Sequence, residues 1–156
     1  MEKRQYIHVD LEKCTGCGIC EDICSQEKFY EFNPVKSAIR LTKLDNQEHV
    51  VLACQNCDDH PCVTACTVKE ALKIGEHTLE VDYDKCNFCG WCVDVCEYGA
   101  ITMNQISADV LTKKMIFCDL CEGKPKCIDG CPKEAITLQV VPEKETPEKV
   151  TSDEFF

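Results

Sequence analysis

At 156 residues the chain has room for one domain or two small ones. Sixteen residues are cysteine, which marks either a disulfide scaffold or a metal protein, and the formal charge of −11 excludes the basic face that nucleic acid requires. No apolar run nears the roughly 20 residues of a membrane span. The opening MEKRQYIHVDLEKC shows no apolar signal region and no twin arginine, so a soluble, cytoplasmic chain with reduced thiols is expected.

Tyr6–Val9 is apolar and partly β-branched and predicts a short strand. The phrase VDLEKC then leads into a first quartet, Cys14, Cys17, Cys20 and Cys24, with gaps of two, two and three residues. Ala38–Leu41 (AIRL) is the next candidate strand. The second quartet, Cys54, Cys57, Cys62 and Cys66, widens its middle gap to four residues. Ala71–Ile74 (ALKI) predicts a strand that Gly75 and the polar residues to Thr78 turn back into a hairpin with Thr78–Val81. VDYDKC repeats the earlier phrase and opens the third quartet, Cys86, Cys89, Cys92 and Cys96, followed by the strand candidate Ala100–Met103 (AITM). The fourth quartet, Cys118, Cys121, Cys127 and Cys131, has a middle gap of five residues and precedes Ala135–Leu138 (AITL). One or two turns of helix fit between the third and fourth cysteine of each quartet. From Pro142 the composition becomes PEKETPEKVTSDEFF, read as a flexible acidic tail over residues 142–156 whose Phe155–Phe156 end is either an idle terminus, the favoured reading, or a plug for a partner's pocket.

The order compact, extended, compact, extended is an internal duplication, offset by 72 residues from Val9 to Val81 and by 64 from Cys54 to Cys118. All sixteen cysteines fall into the four quartets. Soft thiolates select iron–sulfur clusters or zinc over hard cations. Structural zinc usually joins two C-x2-C units about 15–20 residues apart, whereas each quartet here is compact. The C-x2-C-x2-C-x3-C rhythm is that of bacterial-ferredoxin loops, where three cysteines hold one 4Fe–4S cluster and the fourth reaches another. The expected fold is α+β: tandem bacterial-ferredoxin-like units, with short strands and helices around four 4Fe–4S clusters. Spacing alone leaves open which quartets pair. Gly16, Gly18 and Gly90 give the compact loops the positive φ that wrapping a cube requires. Large aliphatic residues are few, so the clusters are expected to supply much of the folding free energy. Each oxidised cluster with its thiolates adds roughly −2. The resulting anionic surface either selects partners with a basic docking patch or serves only solubility.

CQNCDDHPCVTAC (Cys54–Cys66) and CDLCEGKPKCIDGCPKEAI (Cys118–Ile136) resemble the second and fourth motifs of a known family. It is the four-cluster, polyferredoxin-type electron-transfer subunit of molybdenum and tungsten oxidoreductases, as in dimethyl sulfoxide reductases and formate dehydrogenases. Related small subunits accompany tungsten aldehyde oxidoreductases, hydrogenase complexes and benzoyl-CoA reductases. The resemblance covers residues 6 to about 140. It implies an inner ferredoxin-like unit, residues 46–104, inserted into an outer one, residues 1–45 plus 105–141. It also implies four ligand sets: Cys14, Cys17, Cys20 and Cys131; Cys54, Cys57, Cys62 and Cys96; Cys86, Cys89, Cys92 and Cys66; Cys118, Cys121, Cys127 and Cys24.

The chain departs from the family pattern in two ways. The proline after the fourth cysteine survives only as Pro132, with Ser25, Thr67 and Glu97 elsewhere, and the long insertions of larger members are missing. Both favour a compact cytosolic complex like that of the tungsten aldehyde oxidoreductases. The implied function is relay of single electrons between a catalytic tungsto- or molybdopterin subunit and a ferredoxin or flavin/NAD-linked subunit, with self-stacking a further possibility. No Rossmann fingerprint, P-loop or nucleophile–base pair stands in the sequence, so no catalytic site of its own is expected. A freely diffusing polyferredoxin and a zinc-bound interaction module are the alternatives. Trp91 is expected to shield its cluster from water, His60 to be a plain loop histidine, and Lys13 and Lys85 either to ease the anionic charge nearby or to be simply solvated.

Overall fold

The computed structural model describes residues 4–46, 48–103 and 115–141. The expected tail 142–156 and the boundary between residues 104 and 105 lie outside them. Two strands rich in β-branched and aliphatic residues, β1 (Arg4–Val9) and β8 (Ile136–Val141), pair antiparallel with Ile7 opposite Leu138 and Val9 opposite Ile136. Three further antiparallel pairs are β2 (Arg40–Lys43) with β3 (His49–Leu52), β4 (Leu72–Ile74) with β5 (Leu79–Val81), and β6 (Thr102–Met103) with β7 (Met115–Ile116). Among the described residues four α-helices each carry the third cysteine of a quartet: α1 (Ile19–Phe29), α2 (Pro61–Thr64), α3 (Trp91–Asp94) and α4 (Lys126–Gly130). The fold is α+β.

An isolated two-stranded ribbon is marginal in water, so each pair leans on a shared core. One group of buried side chains joins Ile7, Ile39, Ile116, Leu120 and Ile136 to Cys24 and Cys127. A second joins Leu72, Leu79, Ile101, Met115 and Phe117 to Cys62 and Cys92. Successive strand residues face opposite sides, and around β7 that alternation sends Ile116 into the first core and Met115 and Phe117 into the second. A further tie comes from the second cysteine loop. Buried Asn56 donates its amide to the carbonyls of Gln5 at 3.2 Å and His77 at 3.1 Å, and Arg4 pairs with Asp58 at 3.1 Å.

The strands after each quartet start later than the sequence suggests. Ala38, Ala71, Ala100 and Ala135 are all buried, and β2, β4, β6 and β8 begin one or two residues beyond them. The reason is that these alanines spend their backbone groups on the cysteine loops. Ala71 and Ala135 accept from Asp82 and Asp10 N–H, both at 2.8 Å, while Ala38 and Ala100 donate to cysteine sulfur. Strands β3 and β7, absent from the sequence reading, exist because β2 and β6 offer each a partner edge.

Helices α2, α3 and α4 are single turns, as expected, but α1 runs for 11 residues through both Cys20 and Cys24. Glu21 and Asp22 in its first turn and Lys28 in its last complement the helix dipole, and Tyr30 closes it with an N–H to Gln26 C=O at 2.9 Å. The extra turns pack on α4, where Gly130 leaves room for Ile23. Gly18 and Gly90 precede α1 and α3 at φ of 79° and 86°, a left-handed turn that glycine makes without a Cβ penalty.

Candidate metal centres

The duplicated phrase before each compact quartet builds the same turn twice. Asp10 C=O accepts the N–H of Cys14 at 3.0 Å and its carboxylate that of Glu12 at 3.0 Å. Asp82 does the same for Cys86 at 2.9 Å and Asp84 at 3.1 Å. Each turn delivers the chain to its first cysteine, and the left-handed glycine then folds the loop back into a helix carrying the third.

Three cavities are each lined by four cysteines. Cys14, Cys17 and Cys20 meet Cys131 in a cavity walled by Leu41, Val51 and Ile136. Cys54, Cys57 and Cys62 meet Cys96 beside His60 and Ile101. Cys86, Cys89 and Cys92 meet Cys66 beside Val68, Leu72 and Met103. In these three cavities, three cysteines of one quartet line the same space as the fourth cysteine of another. Around Cys127, the charges of Cys118, Cys24, Cys121 and Cys20 all raise the thiol. No cysteine is in a disulfide. Among the described residues no three of these side chains converge on a point as the ligands of one ion do; the thiols stand around a space.

Burial is the main electrostatic fact about these thiols. It pushes Cys20, Cys62 and Cys118 up to about 12, and Cys127 further still. Neighbouring thiolates and, beside Cys20, Glu21 add to the rise. Cys54, Cys57, Cys92 and Cys121 move the same way, with burial again the largest cause. A buried thiolate needs a cationic core to stay ionised, and a coordinated thiol is deprotonated outright. Soft donors, grouped around a space and held protonated by burial, fit an iron–sulfur cluster.

Polar contacts around the sulfurs complete the fit. Ala38 N–H donates to Cys24 Sγ at 3.3 Å and Ala100 N–H to Cys96 Sγ at 3.4 Å. The Thr67 hydroxyl lies 3.5 Å from Cys89 Sγ and, together with the backbone, holds that exposed thiol below its usual range. Lys28, one helical turn after Cys24, pairs with Asp119 at 2.8 Å next to Cys118. Burial alone would raise the Asp119 carboxyl, but the Lys28 contact outweighs it and holds the group low. The His49 ring lies against Gly16 of the first loop, and its Nε2 is buried without a hydrogen-bond partner among the described residues.

Sequence reasoning missed Lys28, His49 and the alanine N–H groups. The recurring Ala-Ile or Ala-Leu after each quartet was a visible signal for the alanines, whereas His49 is 33 positions from Gly16 and carried none. Trp91 differs from expectation: its side chain is exposed, because Gly90 turns it outward at the start of α3. Lys85 is engaged with Glu70 at 3.3 Å and Asp82 at 3.5 Å rather than free beside the thiols. His60 sits at the head of α2 with its Nε2 3.1 Å from Asn56 Oδ1.

The profile of the 4Fe-4S binding domain family matches residues 5–26 and, separately, residues 79–102. The chain is 37% identical over 133 residues to the polyferredoxin-like subunit of the aliphatic sulfonate oxidoreductase of Pyrococcus furiosus, covering 84% of this chain and 73% of that one. It is 28% identical over 151 residues to a probable anaerobic dimethyl sulfoxide reductase chain, YnfG, of Escherichia coli, covering 86% and 73%. In two other relatives the matching stretch is only 21% and 22% of a longer chain. Among solved structures, a chain of the active site complex BamBC of benzoyl coenzyme A reductase shares the fold, with a TM-score of 0.54 at 24% identity over 96% of this chain and 83% of that one.

Proposed function

The chain belongs to the iron–sulfur electron-transfer subunits of oxidoreductases, and on that premise we propose that it relays single electrons through four 4Fe–4S clusters in a cytoplasmic complex. The flanking partners in this reading are a catalytic tungsto- or molybdopterin subunit and a ferredoxin or flavin/NAD-linked subunit. The observation that carries it is the three-plus-one grouping of thiols in three cavities, which leaves Cys24, Cys118, Cys121 and Cys127 for a fourth site. Cys14, Cys17, Cys20 and Cys131 hold the first cluster in this proposal, and Cys54, Cys57, Cys62 and Cys96 the second. Cys86, Cys89, Cys92 and Cys66 hold the third, and Cys118, Cys121, Cys127 and Cys24 the fourth. The matching domain division is an outer unit of residues 1–45 plus 105–141 around an inner one of 46–104.

When bound, the clusters supply reversible one-electron chemistry. The chain supplies order. Cys20 lies within electrostatic reach of Cys127, and Cys54 within reach of Cys118. With α1 packed on α4 and α2 on α3, these contacts support a path that runs first, fourth, second, third, with the exposed Cys17 and Cys89 in its first and last sites. The side chains along it do the rest: aliphatic walls exclude water, and backbone and hydroxyl donors hold the sulfurs.

Oxygen-free purification from the native cell, with elemental analysis of what accompanies the chain, tests this reading. It expects roughly 16 irons per chain and tungsten or molybdenum in a co-purifying larger subunit. The same iron without a partner would replace the relay with a diffusing polyferredoxin. Zinc in place of iron would remove both.

A further inference from the structure

The two compact loops expose the same positions. Residues 11–19 and 83–91 run through the same alternation of exposed and half-buried side chains. Leu11 and Tyr83 are 47% and 42% exposed, Ile19 and Trp91 39% and 55%, and Cys17 and Cys89 stand exposed between them. At each end of the path, therefore, an exposed cysteine is flanked in the loop by large apolar side chains facing water.

The two ends differ in character. Around Cys17 the apolar residues are aliphatic. Around Cys89 they are aromatic, and Tyr83 is braced by a stacked Phe88 with ring centroids 6.3 Å apart. Aromatic residues, tryptophan and tyrosine above all, dominate the binding energy of protein interfaces, and exposed apolar groups inside a polar rim mark interaction sites. The same stretch exposes the carboxylates of Asp84 and Asp94, Lys85 is engaged by Glu70 and Asp82, and the Lys28 that shares a cavity with Tyr83 is paired with Asp119.

We propose that the exposed loop carrying Tyr83, Cys89 and Trp91 is the docking surface for a redox protein whose own centre lies under an apolar patch rimmed by lysine and arginine. This rests on the relay reading above. Charge selects the occupant. With a formal charge of −11 before any cluster is counted, a second copy would bring acid against acid, whereas a basic rim is steered onto the face. The step is a bare electron transfer: one electron leaves the reduced protein, the partner's oxidised centre gains it, and no bond forms or breaks. The exposed Cys89 provides the exit.

Stopped-flow reduction of oxidised cytochrome c, a haem protein with a basic rim and an exposed haem edge, tests this with the dithionite-reduced, desalted holoprotein. The expected second-order rate falls steeply with added salt. Trp91→Ala, Tyr83→Ala and Asp94→Lys are each expected to slow it by about tenfold, with iron content and electron paramagnetic resonance spectrum unchanged. Leu11→Ala, at the position equivalent to Tyr83, is expected to change it less than about twofold. Unaltered rates in the three variants, or an equal loss in Leu11→Ala, would overturn the proposal. Should Trp91→Ala lose iron because it neighbours Cys92, Tyr83→Ala decides. A concentration-dependent dimer abolished by Tyr83→Ala would give the face to a second copy and likewise overturn it. A protein that holds no iron at all would instead overturn the relay reading.

Discussion

Thr67 shows how a single side chain tunes a cluster site. It occupies a position where the family places proline, and that exchange puts a hydroxyl 3.5 Å from Cys89 Sγ. A donor to sulfur stabilises the more negative, reduced state, so Thr67→Val is expected to lower one potential and leave the others unchanged. A redox titration followed by electron paramagnetic resonance reads it. Lys28 works by charge. Replacing it with methionine leaves Asp119 unpaired beside Cys118, at an expected cost of about 1–3 kcal/mol. Thermal melting of the holoprotein measures that loss, and adding Asp119→Leu is expected to restore most of it.

Elements here are short because the cysteine loops, not the ladders, dictate where the backbone goes. The alanine after each quartet commits its N–H or C=O to a loop before the strand starts, which trims three of the strands to four residues or fewer. Helix α1 is the exception, and its added length serves packing on α4. At that crossing a Cβ on Gly130 would collide with the end of the Ile23 side chain. Gly130→Ala is therefore expected to destabilise the holoprotein by about 1–2 kcal/mol, since overpacking forces neighbours off their rotamers. Ile23→Val in the same chain is expected to recover part of that loss, as denaturant midpoints would show.

At the scale of the molecule, the described residues form four two-stranded ribbons and two small groups of buried side chains, which leave little apolar burial to oppose chain entropy. Eight of the sixteen thiols are pushed upward by burial, so the cavities they line carry an electrostatic penalty that a cationic core removes. Folding and cluster binding are then one process. Stripping iron with a chelator and oxidant is expected to abolish the cooperative melt and most of the far-ultraviolet circular dichroism. An iron-free chain that keeps both would show that the two cores suffice alone.

The sequence by itself determined the local chemistry: four cysteine quartets, the duplicated Asp10 and Asp82 turns, and the Gly75 hairpin between β4 and β5. Each is fixed by residues a few positions apart, where spacing leaves the backbone little choice. Strands such as Tyr6–Val9 were legible for the same reason, since alternation and β-branching act within one segment. Contacts between distant segments were decided only by the tertiary structure. The pairing of β1 with β8, the meeting of Cys131 with the first quartet, His49 against Gly16, and Trp91 turned to solvent all depend on which surfaces the chain brings together. Side-chain packing chooses among such meetings, and nothing in the spacing of one segment encodes the shape of another.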